Sequence, residues 1–244
     1  MSYYYSNRRY NYETVAEKKI KIQKSLEKLK KKDPDIRPVV VSGRNVAKTW
    51  LGKAWISNFK LYADYSNRIG RGSSYVKHGA VLDLKIDPGM VRTIVQGSRK
   101  TPYNVEIEIE PLLPEIWESI TKQCQGKIES LQELIEGKFP ESLADLFTAL
   151  GKGLFPAPNE ISFSCSCPDW ADMCKHVAAS LYAIGARFDE DPTLFFLLRN
   201  VNIDELISKA VEKSSKKLME KSDKKSERAI EDDDVSSMFG IDMD

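Results

Sequence analysis

The chain has few of the residues, and none of the motifs, on which the common catalytic sites depend. Its 244 residues include only two histidines. A Gly-x-x-x-x-Gly-Lys-Ser/Thr phosphate loop, a His-Glu-x-x-His pair and a Gly-x-Ser-x-Gly turn are all absent from the sequence. These absences exclude a P-loop ATPase, a zincin-type protease and a nucleophile-elbow hydrolase. We therefore expect a protein that is not an enzyme.

The chain is also poor in cysteine and in long apolar runs. Four cysteines in 244 residues are too few for the disulfide framework of a small secreted domain. No signal peptide is visible at the N-terminus, and no apolar run is long enough to span a bilayer. A hydrophobic content of 41% suits one or two domains with a real core. These features predict a cytoplasmic protein without a membrane segment.

The chain lacks a strong net charge, but its charges are sorted into blocks. The formal net charge is +1. Glu17–Lys32 holds eight lysines against two glutamates, and Ser42–Lys77 holds seven lysines and arginines against one aspartate. Val105–Glu136 carries eight glutamates against two lysines, and residues 231–244 carry six acids and no base. Block charge of this kind is typical of interaction surfaces and tails.

Hydrophobic periodicity predicts an α+β fold that contains an antiparallel β-meander with flanking helices. Residues 82–86, 91–96 and 103–109 are the predicted strands, with turns between them. Glycines and cations between residues 68 and 79 predict a surface loop, with a phosphate site as the alternative. The predicted helices span residues 15–32, 45–64, 111–136, 140–150, 192–199 and 203–211.

Three of the four cysteines and one of the two histidines lie within twelve residues. Cys165 and Cys167 end a strand-like run, in which residues i and i+2 project to the same side. Cys174 and His176 precede a stretch, from Val177 onward, whose apolar residues recur at helical spacing. Three thiolates and one imidazole complete a tetrahedral zinc shell, which leaves no open position for a catalytic water. The sequence thus predicts a strand, a knuckle and a helix joined by one structural Zn²⁺.

The alternative interpretation of this cluster is a group of structural or redox cysteines. A disulfide between Cys165 and Cys167 is disfavoured, because neighbouring thiols in a strand rarely meet the geometry of a bridge. Cys124 lies in a predicted helix with no histidine nearby and is expected to be a small buried hydrophobe. His78 is expected to be a loop residue rather than a catalytic base.

The pattern Cys-x-Cys, six residues, Cys-x-His resembles the SWIM zinc finger over about residues 161–187. The strings Cys-Pro-Asp-Trp-Ala and Cys-Lys-His-Val-Ala-Ala, with the later Asp-Pro-x-Leu-x-Phe-x-Leu-Arg, are similar to prokaryotic SWIM-containing proteins. Those proteins are often associated with Swi/Snf-type ATPases. The resemblance extends less specifically over residues 43–109, and it implies a role in nucleic-acid transactions or in protein contact.

These observations predict five segments along the chain. They are a basic helical or disordered arm at residues 1–35, an α+β domain at 36–158, a small zinc-stabilised ββα SWIM finger at 159–188, a helical C-terminal cap at 189–212 and a charged disordered tail at 213–244.

Cations interleaved with aromatic residues predict a nucleic-acid interface, with DNA favoured, in the block before residue 78. Cations meet phosphates, and aromatic rings stack on unpaired bases. Trp55 and Phe59 lie on the apolar stripe of a helix, so we expect them to pack in the core. The predicted contacts are Arg44, Lys48, Lys53, Lys60, Arg68, Arg71, Lys77 and Lys175.

A second hypothesis belongs to a different class of protein. It is an adaptor that docks onto a Swi/Snf-type helicase and does not touch nucleic acid. The acidic residues 231–244 allow two interpretations. They either compete with phosphates for the basic block or form an inert tail.

Overall fold

The computed structural model describes residues 13–61, 66–124, 141–149, 151–205 and 208. Within these ranges the chain forms a mixed set of helices and one sheet. The helices are α1 (Val15–Lys32), α2 (Trp50–Lys60), α3 (Ser66–Lys77), α4 (Pro114–Cys124), α5 (Glu141–Thr148), α6 (Lys175–Glu190) and α7 (Thr193–Leu198). The strands are β1 (Val81–Asp87), β2 (Met90–Val95), β3 (Tyr103–Ile109) and β4 (Ile161–Cys165), the last preceded by a 3₁₀ turn at Pro158–Glu160.

The four strands form one antiparallel sheet in the order β1-β2-β3-β4. The tight turn between β1 and β2 depends on Gly89, whose φ of 68° suits glycine. Along β3, alternate residues are buried and exposed, so one face of the sheet packs inward and the other is wet. The α+β class and the antiparallel meander predicted from the sequence are confirmed.

Helix α6 is the central element of the core and lies against the buried face of the sheet. Its sequence is rich in alanine and aliphatic residues, and twelve of its sixteen residues are buried. The hydroxyls of Thr93 in β2 and Ser180 in α6 lie 2.5 Å apart and satisfy each other at this buried contact. Helix α6 therefore holds a fixed position on the sheet, and its N-terminus is placed beside the end of β4.

Helices α2 and α3 cover the other side of α6. The indole Nε1 of Trp55 donates to the backbone oxygen of Leu181 at 2.9 Å, and its ring meets Phe188 edge-on at 5.4 Å. At the far end of α6, the Asp189 carboxylate accepts from the hydroxyl of Thr49, the N-cap of α2, at 2.6 Å. Burying a side chain the size of Phe188 contributes about 1.5–3 kcal/mol.

The predicted loop at residues 68–79 is wrong, because the chain forms helix α3 there. The glycines that suggested a loop have a packing role instead. A Cβ at Gly72 would lie 2.6 Å from the Cβ of Ala178, so the glycine lets α3 approach α6 closely. Val76, one turn later, is fully buried. Tertiary packing has overridden the low helix propensity of glycine.

Two other features differ from the sequence predictions. Helix α2 begins at Trp50 rather than at residue 45, because Thr49 caps its N-terminus. The finger contributes one strand, β4, rather than two, because residues 166–174, called the knuckle, form bends and turns without a second strand. That strand extends the meander, since Val105 of β3 pairs with Cys165.

Several predictions fall on residues outside the described ranges. They concern the first twelve residues, the second half of the 111–136 helix, most of the 203–211 helix and the tail at 213–244. The domain boundaries stay predictions. Within the described ranges, no helix combines the length and the apolar character that a bilayer span requires.

Candidate metal centre and basic groove

The four predicted zinc ligands meet at one point between the sheet and α6. Their ligand atoms all lie within 4.8 Å of one another. The Nδ1 atom of His176 lies 3.8 Å from the sulfur of Cys165 and 3.9 Å from that of Cys174. Neighbouring donors in a tetrahedral zinc shell, with Zn–S near 2.3 Å and Zn–N near 2.0 Å, are separated by about 3.6–3.8 Å. The arrangement therefore fits one zinc ion.

Local structure explains why each ligand points to the centre. Cys165 is the last residue of β4, on the same side as Phe163 and Ile161, and Cys167 follows two residues later. Cys174 is the N-cap of α6, and its sulfur accepts from the backbone N–H of Val177 at 3.5 Å. A thiolate at a helix N-terminus also faces the positive end of the helix dipole. The metal shell thus joins the end of β4 to the start of α6.

The environment of Cys174 favours the thiolate that a metal requires. Hydrogen bonds from the Cys165 thiol, the His176 side chain and the Val177 backbone lower the pKa of Cys174 to about 3. The same interaction with Cys174 raises the pKa of Cys165. Cys174 is therefore favoured as a thiolate that can bind a metal directly. Binding of a cation would displace the proton of Cys165.

His176 is buried and held between two tyrosine rings. The ring of Tyr103 lies 4.4 Å away and tilted by 32°, and that of Tyr75 meets it edge-on at 5.6 Å. With Nδ1 bound to a metal, Nε2 would carry the ring proton. Among the described residues, no hydrogen-bond partner reaches Nε2. The imidazole ring of His176 is therefore oriented by packing. Gly97 is part of this packing, because a Cβ at that position would lie 2.8 Å from Nε2.

The shell is complete with protein donors alone. Cys174 and His176 are buried, and Cys165 and Cys167 are half-buried. Four protein ligands leave no position for a catalytic water, so the donor set fits a structural zinc. Zinc binding of this kind contributes about 10 kcal/mol or more of folding free energy in small finger units.

The structure distributes the eight predicted nucleic-acid contacts over several surfaces. The backbone N–H of Lys48 binds Asp189, at the C-terminal end of α6, whereas Lys175 opens that helix. A helix of sixteen residues separates these ends by about 24 Å.

Two other predicted contacts already have a partner within the chain. Arg68 is paired with Asp169 at 3.1 Å. The ammonium of Lys60 lies over the ring of Tyr182. The remaining members of the set, Arg44, Lys53, Arg71 and Lys77, are exposed.

Two of the predicted contacts, Arg71 and Lys175, line one groove together with Lys18 and Lys21 of α1. This groove has a volume of about 670 Å³, and Glu13 is the one carboxylate among its described lining residues. Its lining also includes His78 and Tyr75. The cations of this groove therefore come from three separate segments of the chain.

A second groove of about 820 Å³ continues along α1 and shares Glu13, Lys21 and Ser98 with the first. The two together are called the basic groove. The cations that line it are Lys18, Lys21, Lys24, Lys28, Lys32, Arg71, Lys100 and Lys175. The α1 lysines were absent from the predicted contacts, although their charge block was visible in the sequence. Only the packing of α1 against the rest of the chain brings them to this place.

Comparison with known proteins finds a curated relative in a bacterium. Uncharacterized protein Rv2102 of Mycobacterium tuberculosis is 35% identical over 164 residues, which are 67% of this chain. The match spans 59% of the length of that relative. No solved structure matches the chain.

Residues 163–185 match the family model described as the SWIM zinc finger. The matched range contains all four ligands and begins within β4. The donor geometry agrees with this match. The segment at residues 163–185 is therefore a SWIM zinc finger, with Cys165, Cys167, Cys174 and His176 arranged to bind one metal ion.

Proposed function

We propose that the protein is a non-enzymatic zinc-finger protein that binds nucleic acid, with DNA favoured, through the basic groove. The observation that supports this is that eight cations, among them Lys18, Arg71 and Lys175, line the basic groove beside the finger, against two acids, Glu13 and Glu17, among its described lining residues. Cations placed along a groove exchange the counterions of a phosphate backbone, and this release drives binding.

The position of the zinc centre explains how the groove keeps its shape. Lys175 lies between two ligands, so the metal fixes the backbone that carries this cation. Tyr75 lines the groove and also packs on His176. Loss of the metal would therefore disturb the groove as well as the finger.

A binding role is favoured over catalysis for two reasons. The complete protein shell around the zinc leaves no position for a reacting water. The other histidine, His78, has its Nδ1 2.6 Å from the backbone oxygen of Ser74, so its ring is already engaged. We propose that the groove holds nucleic acid while a partner, of the Swi/Snf-type ATPase class that the resemblance suggests, does the chemistry.

The salt dependence of binding tests this function. Each phosphate contact contributes about −0.9 to the log–log slope on duplex DNA and about −0.7 on a single strand. Replacing both Arg71 and Lys175 with alanine should therefore make the slope shallower by about 1.4–1.8. The matched control replaces Lys48 and Lys53, which carry the same charge away from the basic groove, and should leave the slope unchanged.

A flat slope for the unaltered chain, or no binding at low salt, would contradict nucleic-acid binding. The adaptor hypothesis would then be favoured if a Swi/Snf-type ATPase still co-purifies with the chain after nuclease treatment. An equal change of slope in both double variants would show that the contacts extend over the surface predicted from the sequence and are not confined to the basic groove.

A further inference from the structure

We infer that the nucleic acid held beside the finger is a single strand, and that one of its unpaired bases stacks on Trp170. This inference rests on the proposed function. It names the class of ligand and a residue that neither the family match nor the charge pattern assigns. It starts from an exposed indole in the zinc knuckle.

Trp170 differs from the other tryptophans in its exposure. It is 79% exposed, whereas Trp55 and Trp117 are 1% and 9% exposed. Trp50 is half-buried, with its ring against Phe155. An indole is the largest apolar side chain, and aromatic residues exposed on a surface are enriched where a ligand is bound.

The knuckle holds Trp170 outward on a fixed backbone. On one side, the Asp169 carboxylate pairs with Arg68 of α3 at 3.1 Å, and both side chains are largely buried. On the other side, Ala171 and Met173 are 8% and 3% exposed. Because its neighbours are anchored, the indole needs little ordering when a ligand arrives, and this pre-organisation favours binding.

The same anchor connects Trp170 to the basic groove. Arg68 and Arg71 lie three residues apart on α3, a rise of about 4.5 Å. Arg68 binds the residue before Trp170, and Arg71 lines the basic groove. We therefore expect a strand whose phosphates meet Arg71 and Lys175 to pass beside the knuckle that carries the indole.

Stacking on Trp170 requires a base whose face is open. In a duplex the faces are covered by neighbouring base pairs, whereas a single strand can present one to an aromatic side chain. Stacking is tolerant of sequence because every base has a π-face. The expected ligand is therefore a single strand without a strong sequence preference, with its backbone along the cations.

The test compares the zinc-loaded 244-residue chain with Trp170→Ala and Trp170→Phe. The probes are a fluorescently labelled oligo-dT strand and a blunt hairpin duplex. Trp170→Ala should weaken oligo-dT binding about 5- to 150-fold, the range measured for one stacked base, and leave duplex binding unchanged. Trp170→Phe should retain most of the affinity. Oligo-dT should also quench the tryptophan fluorescence of the unaltered chain, and Trp170→Ala should remove this quenching.

Three other results would overturn the stacking inference, and they show whether the proposed function fails with it. If Trp170→Ala binds oligo-dT as the unaltered chain does, while the Arg71/Lys175 double variant changes the salt slope, stacking is refuted and the proposed function stands. If Trp170→Ala loses an ATPase partner but no DNA affinity, the indole is a protein-docking residue. If the unaltered chain binds neither probe, the proposed function fails as well. Zinc content, measured in every variant, identifies a loss of binding caused by damage to the finger, and Trp170→Phe then decides the question.

Discussion

Gly97 lies directly against the imidazole of His176, across the boundary between the sheet and the finger. A Cβ at position 97 would be 2.8 Å from Nε2 of His176 and closer still to Cε2 of Tyr103. The φ of Gly97 is not positive, so its backbone conformation would tolerate other residues. The requirement for glycine at this position is one of space, imposed by the ring of Tyr103 and by a metal ligand 79 residues away in the sequence.

Gly97→Ala should therefore push the imidazole away from the ligand position. Overpacking of this kind costs about 1–3 kcal/mol. Because the ring moves relative to the sulfurs, part of that cost should appear as weaker zinc binding. A chelator competition measures it, with Ser98→Ala as the control at the neighbouring exposed position. Equal zinc affinity in the two variants would show that the ring has room to shift.

Two glycines of α3 should respond in opposite directions to the same substitution. Gly72→Ala drives a methyl group into Ala178 and the backbone of α6, so we expect a loss of about 1–3 kcal/mol of stability. A methyl group at Gly70 would have no heavy atom within 4 Å, so Gly70→Ala should stabilise the helix by up to about 1 kcal/mol. Denaturant unfolding of both variants provides the comparison. The same sign for both would argue against the close packing of α3 on α6.

The ion pair between Arg68 and Asp169 should stabilise the knuckle rather than bind phosphate. Arg68→Ala leaves a largely buried carboxylate without this partner, at a cost of about 1–3 kcal/mol. The salt slope for DNA binding should stay the same, in contrast to Arg71→Ala. Asp172→Ala, at an exposed knuckle position, should change stability by less than about 0.5 kcal/mol. A shallower slope in Arg68→Ala would restore this arginine as a phosphate contact.

Substitution of a zinc-ligand cysteine and of the packing cysteine Cys124 should have different effects on zinc content. Cys174→Ala removes a ligand and the N-cap of α6, so the chain should lose its zinc and much of the near-ultraviolet circular dichroism of its core. Cys124 is fully buried in α4 and outside the cluster. Cys124→Ala should cost about 1–2 kcal/mol by leaving a small cavity, and it should keep one zinc per chain. Loss of zinc from the Cys124 variant would contradict the ligand assignment.

The zinc ligands could be predicted from the sequence because their geometry is local. A strand places Cys165 and Cys167 on one side, and a helix start places Cys174 and His176 at the opposite side of a short knuckle. The meander could also be predicted from the sequence, because the alternation of apolar and polar residues along 103–109 is typical of a half-buried strand. In each case the information lies within a few neighbouring residues.

The features that were missed depend on contacts between distant segments. Glycines 70 and 72 predicted a loop, and only the surface of α6 shows why a helix forms there. The role of Gly97 depends on His176. The basic groove needs α1 to lie beside α3, an arrangement that no local pattern encodes. The sequence showed the charge of residues 17–32 but not the direction that this charge faces.

X-ray absorption at the zinc edge, on the 244-residue chain, would decide whether the metal shell is closed. We expect one zinc per chain, with three sulfur neighbours at about 2.3 Å, one nitrogen at about 2.0–2.1 Å and no water oxygen. Such a spectrum would establish the closed structural shell that joins β4 to α6. Fewer than three sulfurs or a bound oxygen would contradict it.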